Sequence, residues 1–383
     1  FDEIDFVVFY DKPLLKFERL LETYIGMFPR GFNSFRLAIP LWIREKLFLK
    51  DFLLKKFKNL DQNFSENKLM FSEHHFSHAA SAFYPSPFDE AIVLTLDGVG
   101  EWATTTVSLG KGNKLKILKE LHFPHSLGLL YSAFTYYLGF RVNSGEYKVM
   151  GLAPYGSPKY KDLILSNLLD IKDDGSFRMH QDFFSYATGL RMTNKKFHDL
   201  FGHPPREPEN EDLEQFHMDI ASSIQKVTEN IVLRITKSLR KEFKIPNLCL
   251  AGGVALNCVA NGKIFKEKIF DNIWIQPASG DAGGSLGSAL AYWYKECKGN
   301  RIIEENDNMA GSLLGPEYSD DQIISTLDEM GASFKKYDEN ELINLTAKYL
   351  SEGKTIGWFQ GKAEFGPRAL GNRSILADPR SAN

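Results

Sequence analysis

A long helix followed by two strand–turn–helix units constrains the fold of this chain most strongly. Apolar residues recur at steps of three and four over residues 212–243, which predicts a helix with one buried face. Two short apolar strands follow, at 248–251 and 273–276, and each runs through a glycine turn into a further helix, the first expected to begin at Val254. Strands that alternate with helices in this way predict an α/β fold.

An earlier hairpin indicates that the sheet is mixed. The run 91–96 is apolar and β-branched, as in a buried strand, and 104–109 is its expected partner across a turn at 98–102. Residues 114–121 are expected to add a third strand. Because hairpin neighbours are antiparallel whereas strands joined through helices are usually parallel, we predict an α/β protein with mixed sheets.

Composition excludes several classes of protein. The 383 residues are 43% hydrophobic and 25% charged, which is typical of a globular chain rather than a disordered one. A net charge of -3 provides no basic surface for nucleic acid, and no apolar run approaches the roughly 20 residues of a membrane span. Cys249, Cys258 and Cys297 are too few for a disulfide framework, so we expect a cytoplasmic protein in a reducing compartment.

Two histidines four residues apart are the sharpest local chemical signal. The segment 73–83 predicts a helix with Ser72 as its N-cap. On that helix, His74 and His78 lie on one face about one turn apart, so both imidazoles can reach one metal ion. His75 points ~100° away around the helix axis. The alternative is that these are ordinary surface or core histidines.

Asp97 is a candidate third ligand. It ends the strand 91–96 and precedes Gly98, and ligands of α/β proteins bind beyond the carboxyl ends of strands. A simple hairpin turn at Asp97 and Gly98 explains the same residues equally well.

The glycine turns are candidate nucleotide-binding elements. Gly252 with Gly253, and Gly283 with Gly284, lie where backbone N–H groups at a helix start can face a phosphate, and Asp281 adds a carboxylate to the second turn. Neither turn matches the phosphate loop or the dinucleotide fingerprint. Packing alone explains one such turn, but two in tandem favour a nucleotide site.

Two basic residues near the end of the chain suit an anion. Arg368 and Arg373 lie five residues apart in a loop shaped by glycine and proline, and guanidinium groups bind phosphate or carboxylate in bidentate fashion. The alternative is a solvated turn with surface arginines. His125, before the helix expected at 126–140, is interpreted from its chemistry alone as a cap of that helix.

Taken in order, these motifs resemble the O-carbamoyltransferases of the nodulation-protein and antibiotic-tailoring type. The first 60 residues carry little of the resemblance. The matching stretches are HHFSHAASAFYPSPF (74–88), LTLDGVGEW (94–102), HSLGLLYSAFTYYLGF (125–140), GEYKVMGLAPYG (145–156), LAGGVALNCVANGKI (250–264), PASGDAGGSLGSAL (277–290), LGPEYSD (314–320) and GWFQGKAEFGPRALGNRSILADPR (357–380).

The resemblance implies a two-lobed actin/hexokinase-like (ASKHA) fold, followed by the start of a YrdC-like α/β domain. We assign 1–310 to the first domain and 311–383 to the second, which in this family forms carbamoyl-adenylate. Family members have strands and a His-Asp-Ser-type motif before the point that matches Phe1, and they continue beyond Asn383. We therefore expect this chain to be a piece of a longer protein.

The resemblance also implies the chemistry: ATP and carbamoyl phosphate give carbamoyl-adenylate, whose carbamoyl group passes to a hydroxyl of a sugar, an aminoglycoside or another natural product. It makes His74, His78, Asp97 and Asp281 ligands of one divalent metal, Fe²⁺ in related enzymes; the donor set also suits Mn²⁺ or Zn²⁺. The expected nucleotide and phosphate contacts are Gly98, Gly252, Gly253, Asn257, Gly283, Gly284 and Arg373. The candidate catalytic residues are Arg368, near the phosphate chemistry, and His125 or Glu146 as general base, unless a residue of the absent N-terminal segment serves.

Two other functions stay open. An actin-like sugar kinase or ATPase shares the fold, but such sites hold Mg²⁺ with carboxylates and water rather than histidines. A non-catalytic nucleotide-binding assembly subunit is the other, although the presence of all four candidate ligands argues against it. A homodimer is compatible with the sequence, and acceptor specificity is expected in the segments 141–156 and 170–215.

Overall fold

The computed structural model describes residues 3–380. The chain divides into two compact units, one that ends at Ile303 and one that begins at Glu304.

The first unit contains nine strands and eleven α-helices among the described residues. The strands are β1 (Val7–Phe9), β2 (Leu69–Phe71), β3 (Glu90–Leu96), β4 (Ala103–Lys111), β5 (Lys114–His122), β6 (Leu169–Ile171), β7 (Phe177–Met179), β8 (Asn247–Ala251) and β9 (Asn272–Ile275). The helices are α1 (Pro13–Gly26), α2 (Phe32–Leu41), α3 (Leu49–Leu60), α4 (His74–Phe83), α5 (Leu127–Tyr137), α6 (Glu146–Leu152), α7 (Lys161–Asn167), α8 (Lys195–Phe201), α9 (Gln215–Phe243), α10 (Cys258–Lys266) and α11 (Asp281–Lys295).

A five-stranded mixed sheet with the order β5-β4-β3-β8-β9 is the centre of this unit. β3, β4 and β5 are antiparallel neighbours, whereas β3, β8 and β9 run parallel. The register pairs Thr95 with Ala251, so the carboxyl ends of β3 and β8 lie side by side. The mixed α/β class predicted from the sequence is therefore confirmed.

Strand β3 is buried on both faces, and its alternating side chains separate two cores. Ile92 and Leu94 belong to the cluster that includes the apolar stripe of α9. Ala91 and Val93 face the opposite way, into a cluster with the alanines of α4 and with Ala291 of α11. The long helix predicted from its spacing is confirmed as α9, although it begins at Gln215 rather than at 212.

Helices α4 and α11 pack at unusually short range. A Cβ atom placed on Gly287 of α11 would collide with the carbonyl oxygen of Ser77 in α4. The close crossing places the beginning of α11, where Asp281 lies, next to the first turns of α4.

Three local predictions of helix ends were wrong. Ser72 does not cap α4: the N-cap residue is Glu73, and Ser72 lies just after β2, where its N–H donates to the carbonyl of Phe9. The hydroxyl of Ser126, not His125, caps α5 by accepting the N–H of Leu129. The chain forms a 3₁₀ turn over Gly253–Leu256, and the α-helix begins only at Cys258.

The second unit contains α12 (Asp320–Glu329), α13 (Glu339–Ser351), β10 (Ile356–Phe359) and β11 (Arg373–Leu376). The two strands form an antiparallel pair, and neither β11 nor α12 was expected from the sequence. That this segment begins a YrdC-like domain at residue 311 stays a prediction.

Within residues 3–380, every helix is either too short or too polar to cross a bilayer.

The close helix crossing generates a stability prediction. Replacing Gly287 with alanine inserts a methyl group where the Ser77 carbonyl lies, and overpacking of this kind costs about 1–3 kcal/mol. Gly262→Ala in α10 is the matched control, because no atom lies within 4 Å of its added Cβ. That control should gain about 0.5–1 kcal/mol. Urea unfolding of both variants checks the difference, and equal midpoints would contradict the packing described here.

Candidate metal centre

Four side chains that are far apart in the sequence converge on one point. One ligand atom from each of His74, His78, Asp97 and Asp281 lies within 4.8 Å of every other. The two histidines come from α4, Asp97 follows β3, and Asp281 is the first residue of α11. The structure thus brings together all four residues proposed from the sequence; their role as metal ligands stays a prediction.

The distances between these atoms fit a single ion. Nε2 of His74 lies 3.0 Å from Oδ2 of Asp97 and 3.1 Å from Nε2 of His78. Oδ1 of Asp281 lies 3.6 Å from Nε2 of His74 and 3.5 Å from Nε2 of His78. Ligands about 2.1 Å from one ion are separated by about 3.0 Å at right angles and about 3.4 Å in a tetrahedron.

Burial gives the cluster a closed side and an open side. The side chains of His74 and His78 are 3% and 0% exposed, whereas that of Asp281 is 61% exposed. Convergent nitrogen and carboxylate atoms with one accessible side suit a cation that also binds a substrate oxygen. Nitrogen and carboxylate ligands are compatible with Fe²⁺, Mn²⁺ or Zn²⁺.

Asp97 is held in place by the first glycine turn. Its Oδ1 accepts the N–H of Gly253 at 2.9 Å, which leaves Oδ2 directed at His74. Gly252 has φ +85°, and a Cβ there would collide with the carbonyl of Leu96. Gly252 is therefore required for the close approach of this turn to the backbone of β3, independently of any nucleotide.

Carboxylates surround the two histidines of the cluster, and these opposite charges shift the pKa values of His74 and Asp97. Burial alone would lower the pKa of His74, but its contacts with Asp11 and Asp97 raise it to about 10. Burial alone would raise the pKa of Asp97, but His74 and His78 hold it well below its usual range. His75 lies outside the cluster, and burial lowers its pKa to about 3, which keeps it neutral. A field that favours a proton on His74 also favours a metal cation at the same point.

Sequence reasoning missed two carboxylates that support the cluster. Oδ1 of Asp11 lies 2.7 Å from Nδ1 of His74. Glu101 accepts the backbone N–H of His74 at the start of α4, where the helix dipole favours a carboxylate. Neither contact follows from local spacing, because Asp11 is 63 residues and Glu101 is 27 residues from His74.

The other expected nucleotide contacts lie around the cluster with structural partners of their own. The carbonyl of Gly98 accepts from Ser126, and no atom lies within 4 Å of its added Cβ. The Asn257 side chain caps α10 and exchanges hydrogen bonds with the amide of Gln225. A nucleotide role for these residues stays a prediction.

Gly283 and Gly284 occupy the first turn of α11. A Cβ on Gly283 would collide with the carbonyl of Ala278, and one on Gly284 would lie 2.8 Å from the ring of Tyr10. Packing alone therefore requires both glycines.

The two candidate general bases are bonded differently. Nδ1 of His125 accepts the N–H of Met179 at 3.1 Å, and burial lowers the pKa of the His125 imidazole. Oε1 of Glu146 accepts both the hydroxyl of Ser132 and the N–H of Asn143. Neither side chain belongs to the four-residue cluster.

Arg368 and Arg373 belong to the second unit. The loop that contains them is organised by Glu364, a buried carboxylate that accepts the N–H groups of Leu370, Asn372 and Arg373. The Arg373 guanidinium donates to the carbonyl of Gly366 at 2.7 Å.

The fold and the cluster define an α/β protein with a candidate His₂Asp₂ metal centre, and comparison with known proteins identifies its family. The family model described as "Carbamoyltransferase N-terminus" matches residues 1–290, and the family model described as "Carbamoyltransferase C-terminus" matches residues 347–383. The chain belongs to the carbamoyltransferase family.

Individual relatives agree with this assignment. An uncharacterized protein of Synechocystis sp. is 57% identical, over 99% of this chain and 62% of that protein. Nodulation protein NolNO of Sinorhizobium fredii is 36% identical over 90% of this chain and 48% of that protein. Nodulation protein NolO of Bradyrhizobium diazoefficiens is 36% identical over 81% of this chain and 54% of that protein. The chain thus spans between about half and three fifths of the length of these relatives.

A solved structure shows only distant similarity. HypF from T. kodakarensis matches 63% of this chain and 38% of its own length, at 17% identity and a TM-score of 0.33. That score is too low to define a shared fold.

Removing one imidazole tests the cluster directly. His78→Ala should lower the affinity for Mn²⁺ by more than the about 10–100-fold that loss of an outer-sphere partner costs, because it deletes a ligand atom. His122→Ala removes an exposed imidazole whose Nε2 lies 2.6 Å from Oε2 of Glu120, and this variant should bind Mn²⁺ like the wild type. Metal content after gel filtration measures both, and a metal-replete His78→Ala protein would contradict the ligand assignment.

Proposed function

We propose that this chain performs the transfer step of an ATP-dependent O-carbamoyltransferase. ATP and carbamoyl phosphate are the co-substrates, carbamoyl-adenylate is the activated donor, and a hydroxyl of a sugar, aminoglycoside or other natural product is the acceptor. Membership of the carbamoyltransferase family supports the group transferred. The convergence of His74, His78, Asp97 and Asp281 is the observation that carries the proposal, because a site of this kind can stabilise charge that develops at a phosphate or carbonyl oxygen.

The reaction needs few groups from the protein. The acceptor oxygen forms a bond to the carbamoyl carbon, the bond from that carbon to the adenylate oxygen breaks, and AMP leaves. The hydroxyl proton passes to a general base. Binding the two reactants in one orientation accounts for a large part of such catalysis.

The metal is proposed as Fe²⁺, with Mn²⁺ or Zn²⁺ as alternatives, held by the four clustered residues. When bound, it would act as a Lewis acid toward an oxygen of the donor. The exposed side of Asp281 leaves room for that oxygen, and the buried side of the two histidines keeps water from the opposite face.

Glu146 is the better candidate for the general base. Because Nδ1 of His125 accepts a backbone N–H, a neutral His125 carries its proton on Nε2 and can only donate from that atom. The hydroxyl of Ser132 and the N–H of Asn143 both donate to Oε1 of Glu146, so Oε2 is the atom proposed to take the proton. Glu146→Gln should slow transfer while leaving metal content unchanged, and full activity in that variant would remove Glu146 from the mechanism.

Adenylate is proposed to lie against Gly98 and the glycine turns that begin at Gly252 and Gly283, with Asn257 nearby. Arg368 and Arg373 are proposed to meet phosphate groups in the second unit. The acceptor is proposed to contact the segments 141–156 and 170–215.

Product analysis distinguishes the proposed function from its alternatives. The full-length protein, loaded anaerobically with Fe²⁺, is incubated with carbamoyl phosphate and ATP labelled in the α- and γ-phosphates. Carbamoyl-adenylate chemistry predicts AMP and pyrophosphate. ADP as the sole nucleotide product would favour a kinase or ATPase, and bound nucleotide without turnover would favour an assembly subunit; either result overturns the proposal.

A further inference from the structure

The two histidines of the cluster are supported unequally. His74 has a partner on each ring nitrogen: Nε2 faces the cluster, and Nδ1 lies 2.7 Å from Oδ1 of Asp11. Nδ1 of His78 is buried and has no hydrogen-bond partner within residues 3–380. A carboxylate therefore restrains Nδ1 of His74, whereas Nδ1 of His78 has no such partner in the described part of the chain.

The Asp11 contact determines which nitrogen of His74 is available. An imidazole that binds a cation through Nε2 must keep its proton on Nδ1. A carboxylate that accepts this proton stabilises that tautomer, fixes the ring plane and makes Nε2 a stronger donor to a metal.

Asp11 is itself held by two independent restraints. Nζ of Lys16 lies 2.7 Å from the same Oδ1 atom, and the Asp11 side chain is only 13% exposed. The second restraint acts on the backbone of the turn between β1 and α1, which contains Asp11. The N–H of the next residue, Lys12, donates to Oε1 of Glu101 at 2.9 Å.

Glu101 connects this turn to the metal-binding helix. The same carboxylate that binds the N–H of Lys12 also accepts the N–H of His74 at 3.1 Å. The backbone of the Asp11 turn and the backbone of His74 are thus held by one buried side chain, so the distance between Asp11 and the His74 ring is fixed from both ends.

We infer that Asp11 is a positioning residue of the proposed metal centre, one that holds His74 in the Nδ1–H tautomer with Nε2 directed at the ion. The inference rests on the metal centre proposed above. Asp11 acts through His74 and does not contact the ion.

The first test is a Mn²⁺ titration of the full chain, followed by the EPR signal of the free ion. Asp11→Asn keeps the size of the side chain but removes its charge, and it should weaken Mn²⁺ binding about 10–100-fold. Asp5→Asn is the matched control, because it makes the same chemical change at an exposed residue just before β1 and should bind Mn²⁺ like the wild type.

The outcomes separate this inference from the metal centre itself. Tight Mn²⁺ binding by the wild type and equal binding by a folded Asp11→Asn protein would overturn the role of Asp11 and leave the centre intact. A wild-type protein that binds no Mn²⁺, Fe²⁺ or Zn²⁺ would overturn both.

A second measurement needs no variant and stays decisive if Asp11→Asn fails to fold. In the Zn²⁺-loaded wild type, long-range ¹H–¹⁵N correlation of labelled histidines should show His74 protonated on Nδ1 and metal-bound through Nε2. A proton on Nε2, or metal bound through Nδ1, would overturn the inference.

Discussion

The close crossing of helices α4 and α11 is the constraint on which the rest of the site depends. The carbonyl of Ser77 occupies the space that any side chain at Gly287 would need. This short distance places the first residue of α11, Asp281, beside two imidazoles one turn apart on α4. At the usual interaxial distance of about 8–10 Å, this carboxylate would lie farther from His74 and His78 and could not bind the same ion with them.

Hydrogen bonds from backbone N–H groups hold the other carboxylates of the site, Asp97 and Glu101, in place. The N–H of Gly253, just after β8, donates to Oδ1 of Asp97. Because β8 is the parallel neighbour of β3, the pairing of these two strands determines where Oδ2 of Asp97 points. Glu101 joins the N–H groups of Lys12 and His74. Buried carboxylates are costly unless they are hydrogen-bonded, and here the hydrogen bonds that satisfy them also fix the geometry of the site.

Local patterns in the sequence predicted the parts of this protein that depend on local physics. Helical spacing located α9 and the His74–His78 pair, and apolar runs located the strands of the mixed sheet. Contacts between distant segments were beyond such patterns, which is why the support from Asp11 and Glu101 was missed. The N-cap of α4 shows the same limit: Ser72 has the side chain of a cap, but the helix begins one residue later, after Glu73, and the Ser72 N–H pairs with the distant carbonyl of Phe9.

The central claim is that His74, His78, Asp97 and Asp281 bind one divalent cation. Anomalous diffraction from crystals of the protein grown with Mn²⁺ tests it most directly. The account predicts a single anomalous peak within about 2.0–2.3 Å of Nε2 of both histidines and of a carboxylate oxygen of each aspartate. Anomalous density at another location, or none in crystals that contain saturating Mn²⁺, would contradict it.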